Sequence, residues 1–124
     1  MIALSKNSRP VAARDALVIL TDIGQLRNLD LERGDRQYLT EQLSADPQLA
    51  VCDVNGRLVM IHLVKEAATA VQREKARRAG DTMITRLNAA KRTEAQLISR
   101  QDEGALTLAL AEGAALGNYA FRKY

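Results

Sequence analysis

LAVCDVNGRLVMIHLV, residues 49–64, is the stretch that decides the fold class. Asn55-Gly56 separates two apolar runs, and a type I′ turn needs positive φ at both central residues, which Asn and Gly tolerate best. The stretch therefore reads as a β-hairpin. In its second strand Leu58, Met60, His62 and Val64 point one way, and Val59, Ile61 and Leu63 point the other. Both sets are apolar, so this strand should lie inside a sheet that is covered on both faces. Asp53 breaks the apolar pattern of the first strand, which places that strand near an edge.

Toward the N-terminus, ALVIL at Ala16–Leu20 does not alternate and reads as a second strand buried on both faces. Ile2–Ser5 alternates and reads as a short first strand, and a polar loop with Pro10 joins the two. Between Thr21 and Gln48 the periodicity is weak. Asp35 can cap a short helix reaching about Ser44, with Leu39 and Leu43 inward, before Asp46-Pro47 ends the segment.

Toward the C-terminus, Thr69-x-x-Gln72 resembles a capping box opening a helix to about Lys91. Its buried stripe is predicted to be Ala76, Ala79, Gly80, Met83, Leu87 and Ala90. A short strand at Ala95–Ser99 follows. The last helix starts near Glu103, with Leu106, Ala109, Leu110, Gly113, Leu116 and Gly117 on its inner face. Each glycine costs roughly 1 kcal/mol inside a helix, which is tolerable where bare backbone must lie close to a sheet. Strands and helices interleave around one hairpin. The expectation is a single α/β domain over residues 1–124, in three layers, with a mixed sheet of about five strands flanked by helices.

Composition narrows the class. A chain of 124 residues buries enough surface for a core without disulfides. The single cysteine, Cys52, lies in an apolar run and reads as a buried thiol in a reducing compartment. The N-terminus has no signal-peptide pattern, and no run approaches the ~20 apolar residues of a membrane span. A cytoplasmic chain without a membrane partner is expected. The net charge is +3, and much of the excess lies between Arg73 and Arg92. Placed at about 100° per residue, Arg73, Arg77, Arg78 and Arg86, with Lys75, Lys91 and Arg92, scatter over the exposed side of the long helix. They read as a solvated basic surface, and nucleic acid is not the expected partner.

Chemistry-bearing patterns are sparse. One His and one Cys offer no metal-ligand spacing, so neither catalytic nor metal residues are assigned. His62, on an apolar strand, reads as a hydrogen-bonded core residue. Gly24, Gly34, Gly56 and Gly80 stand singly, without the clustering of a phosphate cradle. Glu112 sits within an apolar helix and is expected to be a buried acceptor, for backbone amides or for a neighbouring domain. Three of the four aromatic residues, Tyr119, Phe121 and Tyr124, crowd the end of the chain. Phe121 and Tyr124 are placed beyond the last regular turn, so the tail reads as a seam to another body.

The run AEGAALGNYAFRKY, residues 111–124, resembles the junction in leucyl (cytosol) aminopeptidases where a noncatalytic N-terminal domain meets the metallopeptidase domain. Glu112, Gly113, Leu116, Tyr119, Phe121 and Tyr124 match that family's pattern, and Arg78-Ala79-Gly80 matches further upstream. The resemblance covers most of the chain and is firm from about Leu58 onward. It departs from the family at His62-Leu63-Val64-Lys65, where relatives carry Gly-Leu-Gly-Lys, so no role of that loop carries over. The resemblance implies a macro-domain-like fold and a chain that is not itself an enzyme. The parent would be a metal-dependent aminopeptidase whose two divalent metals, zinc or manganese, are bound in the following domain; no cofactor is expected in this chain. The implied partners are the catalytic domain of the same polypeptide and further copies in a homo-oligomer, a hexamer in the family. The interdomain seam is assigned to Glu112, Tyr119, Phe121 and Tyr124. A stand-alone interaction module of the same fold is the alternative, ahead of nucleotide or nucleic-acid binding.

Overall fold

A computed structural model describes residues 2–7, 14–65, 69–99 and 104–123, and the side chains of all of these except Asn7 and residues 120–123. Five strands form one sheet: β1 (Ala3–Asn7), β2 (Ala16–Leu20), β3 (Ala50–Val54), β4 (Arg57–Leu63) and β5 (Glu94–Ile98). Their order is β1-β5-β2-β4-β3; only β3 runs antiparallel, through the hairpin with β4. Asn55 and Gly56 have φ of 53° and 89°, as the I′ turn requires. Asp53 Oδ1 accepts from Gly56 N–H at 2.8 Å and tightens that turn. β3 is the edge strand that Asp53 foretold, and β4 is interior.

The two faces of the sheet carry separate cores. Ala16, Val18 and Leu20 of β2, with Val59, Ile61 and Leu63 of β4, pack beneath α1 (Arg33–Ala45) and a 3₁₀ helix at Ile23–Leu29. Leu17, Ile19 and Met60 face α2 (Ala70–Ala89) and α3 (Gly104–Lys123). The result is a three-layer α/β domain. Alternation within each strand sends successive side chains to opposite cores, which is why β2 is apolar throughout and β4 is apolar except at Arg57 and His62.

The 3₁₀ helix was not foreseen, although its cap is written in the sequence. Asp22 accepts from Gly24 N–H at 2.8 Å, and Gln25 reaches back to the backbone of Thr21 and Asp22. α1 starts earlier than expected. Glu32 occupies the cap position without a side-chain cap bond, and Asp35 lies in the first turn instead. There a carboxylate still suits the positive end of the helix dipole. Thr69 caps α2 as expected, its Oγ1 accepting from Gln72 N–H at 3.2 Å.

α2 stops at Ala89 rather than Lys91. Arg92 N–H donates to Leu87 O and Lys91 N–H to Asn88 O, both at 3.0 Å, with Lys91 in the left-handed region at φ 58°. That is a Schellman closure built on a lysine where glycine is usual, so no residue type marked it in advance. Ala90 is consequently exposed, while Ile84 and Asn88 join the buried stripe.

Gly80, Gly113 and Gly117 correct a second expectation. Their bare backbone meets the neighbouring helix, not the sheet. A Cβ on Gly113 would collide with the backbone of Arg77, and one on Gly80 with the backbone of Leu110. One on Gly117 would come within 2.7 Å of the Asp81 carboxylate. α2 and α3 therefore interlock backbone to backbone. Leu116, expected inside, is 64% exposed, and Ala114 takes the buried position. α3 also continues through Phe121, so that residue belongs to the helix and not to a tail beyond it.

Two polar residues fasten the layers. Asp15 is buried, accepts from Leu58 N–H at 2.7 Å and sits 3.5 Å from Arg92 Nη1, while its carbonyl accepts from Gln96 N–H at 2.9 Å. It thus holds β2, β4 and β5 together. Asn118 of α3 accepts from Ile2 N–H at 3.0 Å and donates to Ile2 O at 2.9 Å, serving the first strand as a neighbouring strand would. Asn88 of α2 donates to the same Asn118 Oδ1 at 3.2 Å.

Candidate functional site

The inner face of α3 is spent on α2 and the sheet, which fixes what its outer face presents. Leu108, Glu112, Leu116 and Tyr119 are spaced i, i+4, i+8 and i+11, so they share one side of the helix. Leu108, Leu116 and Tyr119 are 61%, 64% and 66% exposed. A single exposed leucine needs no account, but large apolar groups aligned on one face do.

Glu112 interrupts the stripe. It is not the buried acceptor of backbone amides that its apolar surroundings suggested. It is half-exposed, and Oε2 accepts from Arg77 Nε at 3.0 Å across the α2–α3 junction. The same Arg77 lies 3.5 Å from Glu74 Oε2. Its guanidinium is held more firmly protonated than usual, first by the hydrogen bond to Glu112. The close approach at Gly113 positions this pair, since it brings the Arg77 turn of α2 directly over α3. Of the seam residues assigned from sequence, Glu112 and Tyr119 therefore lie on one exposed face. Phe121 belongs to the same helix with its side chain outside the described residues, and Tyr124 lies outside them altogether.

The basic residues of α2 do not gather into one patch. Arg77 and Arg78 both pair with Glu74, Arg78 Nε lying 3.5 Å from its carboxylate, and Arg86 stands in the last turn, where a cation complements the helix dipole. Lys91 and Arg92 fall past the helix end, and Arg92 is engaged by Asp15.

His62 is buried at 1% exposure, as read from the sequence. Its Nδ1 lies 2.8 Å from Gln48 O, a carbonyl that can only accept, so the proton resides on Nδ1. Nε2 is enclosed with no hydrogen-bond partner. Burial, reinforced by the charge of Lys75, holds the imidazole below its usual pKa, although the bond to Gln48 acts the other way. Cys52 is buried beside Asp35, whose Oδ1 accepts from Sγ at 3.6 Å. Burial first, then the Asp35 charge, pushes this thiol up to about 11. That makes it a poor nucleophile at neutral pH.

Among the described residues no group of three or more His, Cys, Asp or Glu side chains is arranged to hold a metal ion, and no helix is long and apolar enough to cross a membrane. Comparison with protein-family models, curated proteins and solved structures finds no match to this chain.

Proposed function

We propose that the chain is the noncatalytic N-terminal domain of a leucyl-aminopeptidase-like metalloexopeptidase, working in the cytoplasm. In this reading it docks on the catalytic domain of the same polypeptide and helps to assemble a homo-oligomer. The observation that carries it is the outward face of α3, where Leu108, Leu116 and Tyr119 stand exposed around the Glu112–Arg77 pair. Glu112, Leu116 and Tyr119 of this face lie in the stretch that resembles the family's domain junction. Covering a large apolar side chain contributes about 1.5–3 kcal/mol, so a partner seated on these residues gains appreciably from each. The ion pair would lie at the middle of that contact, where a charged, hydrogen-bonded group sets orientation more than affinity.

The activity of the parent would reside in its metal-bearing second domain, so the isolated chain should not hydrolyse leucine anilides with added zinc or manganese. The deciding experiment begins with the reading frame beyond Tyr124. A continuation encoding a two-metal peptidase domain is expected. That domain, expressed separately, should bind the 124-residue chain, and Leu116→Glu with Tyr119→Glu should abolish binding without unfolding the chain. A frame without such a domain overturns the peptidase reading. The same exposed face would then favour a stand-alone interaction module.

A further inference from the structure

A second concavity lies on the opposite flank of α2, away from α3. It is a cleft of about 700 Å³ between α2 and the Asp46–Gln48 segment, with His62 and Leu63 of β4 among its lining residues. That volume is in the range of small-molecule sites, roughly 300–1,000 Å³. Its charged lining is one-sided. Among the described residues, Lys65, Lys75 and Arg78 line it with a single carboxylate, Asp46, while Gln72 adds an amide. Asp46 Oδ1 accepts from Gln48 N–H at 3.0 Å. Gln48 in turn donates from Nε2 to Lys75 O at 2.8 Å and ties the two walls together.

The wall also includes a group whose hydrogen bonding is incomplete. His62 gives its proton to Gln48 O and keeps an unpartnered Nε2. A buried acceptor left unpaired is unfavourable, and a donor from a ligand would relieve it. The imidazole stays neutral, so among the described lining residues the cations exceed the one carboxylate by two charges. Glu74 meets Arg78 at Nε, at 3.5 Å, and is not itself among the lining residues.

We propose that this cleft binds the phosphate monoester of a small hydroxylated molecule, the dianion lying among Lys65, Lys75 and Arg78 and ligand hydroxyls donating to Asp46. A phosphate dianion matches the excess charge of the lining, and planar guanidinium with mobile ammonium groups is the donor set that phosphate oxygens take. A carboxylate in the same cleft repels a second anion but accepts from hydroxyls, which favours a polyol ester over a polyphosphate. This inference does not depend on the docking face of α3, which lies across the helix pair.

The chain has one histidine, so the His62 ring resonances report the cleft without background. Glucose 6-phosphate, glucose and inorganic phosphate are titrated into the 124-residue chain at about 150 mM salt, where surface charges are screened beyond roughly 8 Å. Calorimetry gives the affinity, and the pH titration of His62 gives the location. Glucose 6-phosphate is expected to bind with Kd of about 1 mM or tighter, and to raise the titration midpoint of His62 by offsetting the field of Lys75. Glucose alone should not bind, and inorganic phosphate should bind more weakly than the ester. Lys75→Gln and Arg78→Gln, both at exposed positions, should each weaken the ester about tenfold, or ~1.4 kcal/mol, with the melting temperature unchanged. Absence of heat and of any His62 shift overturns the proposal. So does binding that survives both substitutions, since it would then lie elsewhere. Phosphate binding as tightly as the ester, or glucose as tightly as glucose 6-phosphate, overturns the assigned ligand class.

Discussion

Gly113→Ala and Gly34→Ala make the same chemical change in two helices and should move stability in opposite directions. In a helix interior alanine is favoured over glycine by about 0.8–1 kcal/mol. Gly34 lies in the first turn of α1, and a Cβ there meets nothing within 4 Å. Gly34→Ala should therefore stabilise by a few tenths to about 1 kcal/mol. At Gly113 the propensity gain is the same, but the new methyl would occupy the space of the Arg77 carbonyl group. A main-chain obstacle cannot rotate away, so α2 and α3 must separate. Separation loosens Ala76, Ala79, Met83, Leu110 and Ala114, all buried at the junction. Overpacking of this kind costs typically 1–3 kcal/mol and occasionally more, and rigid backbone on both sides places Gly113 at the upper end. After the propensity gain, a net loss of about 2 kcal/mol is expected. With m in urea of about 1–3 kcal/mol/M, the midpoint should fall by roughly 1 M, while Gly34→Ala moves it upward. The assay is urea unfolding followed by circular dichroism. A Gly113→Ala midpoint at or above that of the parent would refute the interlocked packing of α2 on α3.

Three further perturbations test separate parts of the argument. Lys91→Gly relieves a left-handed residue in the closure after α2 and should stabilise by about 1 kcal/mol; a loss in thermal unfolding would mean that Lys91 contributes something glycine cannot replace. Asn118→Ala removes both bonds to Ile2 and the one from Asn88, and should cost about 1–3 kcal/mol with faster hydrogen exchange at the Ile2 amide. For His62 the folded pKa lies below its unfolded value near 6.5, so the unfolded state binds more protons as pH falls through that value. Stability should then be full above about pH 6.5 and decline below it, by at most ~1.4 kcal/mol per pH unit. A parent whose stability is flat from pH 7 to 5 would place the imidazole in contact with water.

What was legible in the sequence was whatever depends on a local period or a local turn. Asn55-Gly56 determined the hairpin because positive φ is a property of those two residues. ALVIL determined a doubly covered strand because its apolar run leaves neither face polar. Thr69 determined the start of α2 because its hydroxyl meets its own helix's N–H. The sheet order, with β5 inserted between β1 and β2, was not legible, since no local pattern says which strand a crossover returns to. Gly113 and Gly117 were recognised as close-approach positions, yet their partner was decided only when two helices came to lie on one face of the sheet. The same packing turned Leu116 outward and drew Glu112 to Arg77, because an inner face a single helix would allow is narrowed once a second helix occupies part of it. The cleft beside His62 likewise brings together residues from Asp46 to Thr82, and such a gathering of charge exists only in the folded chain.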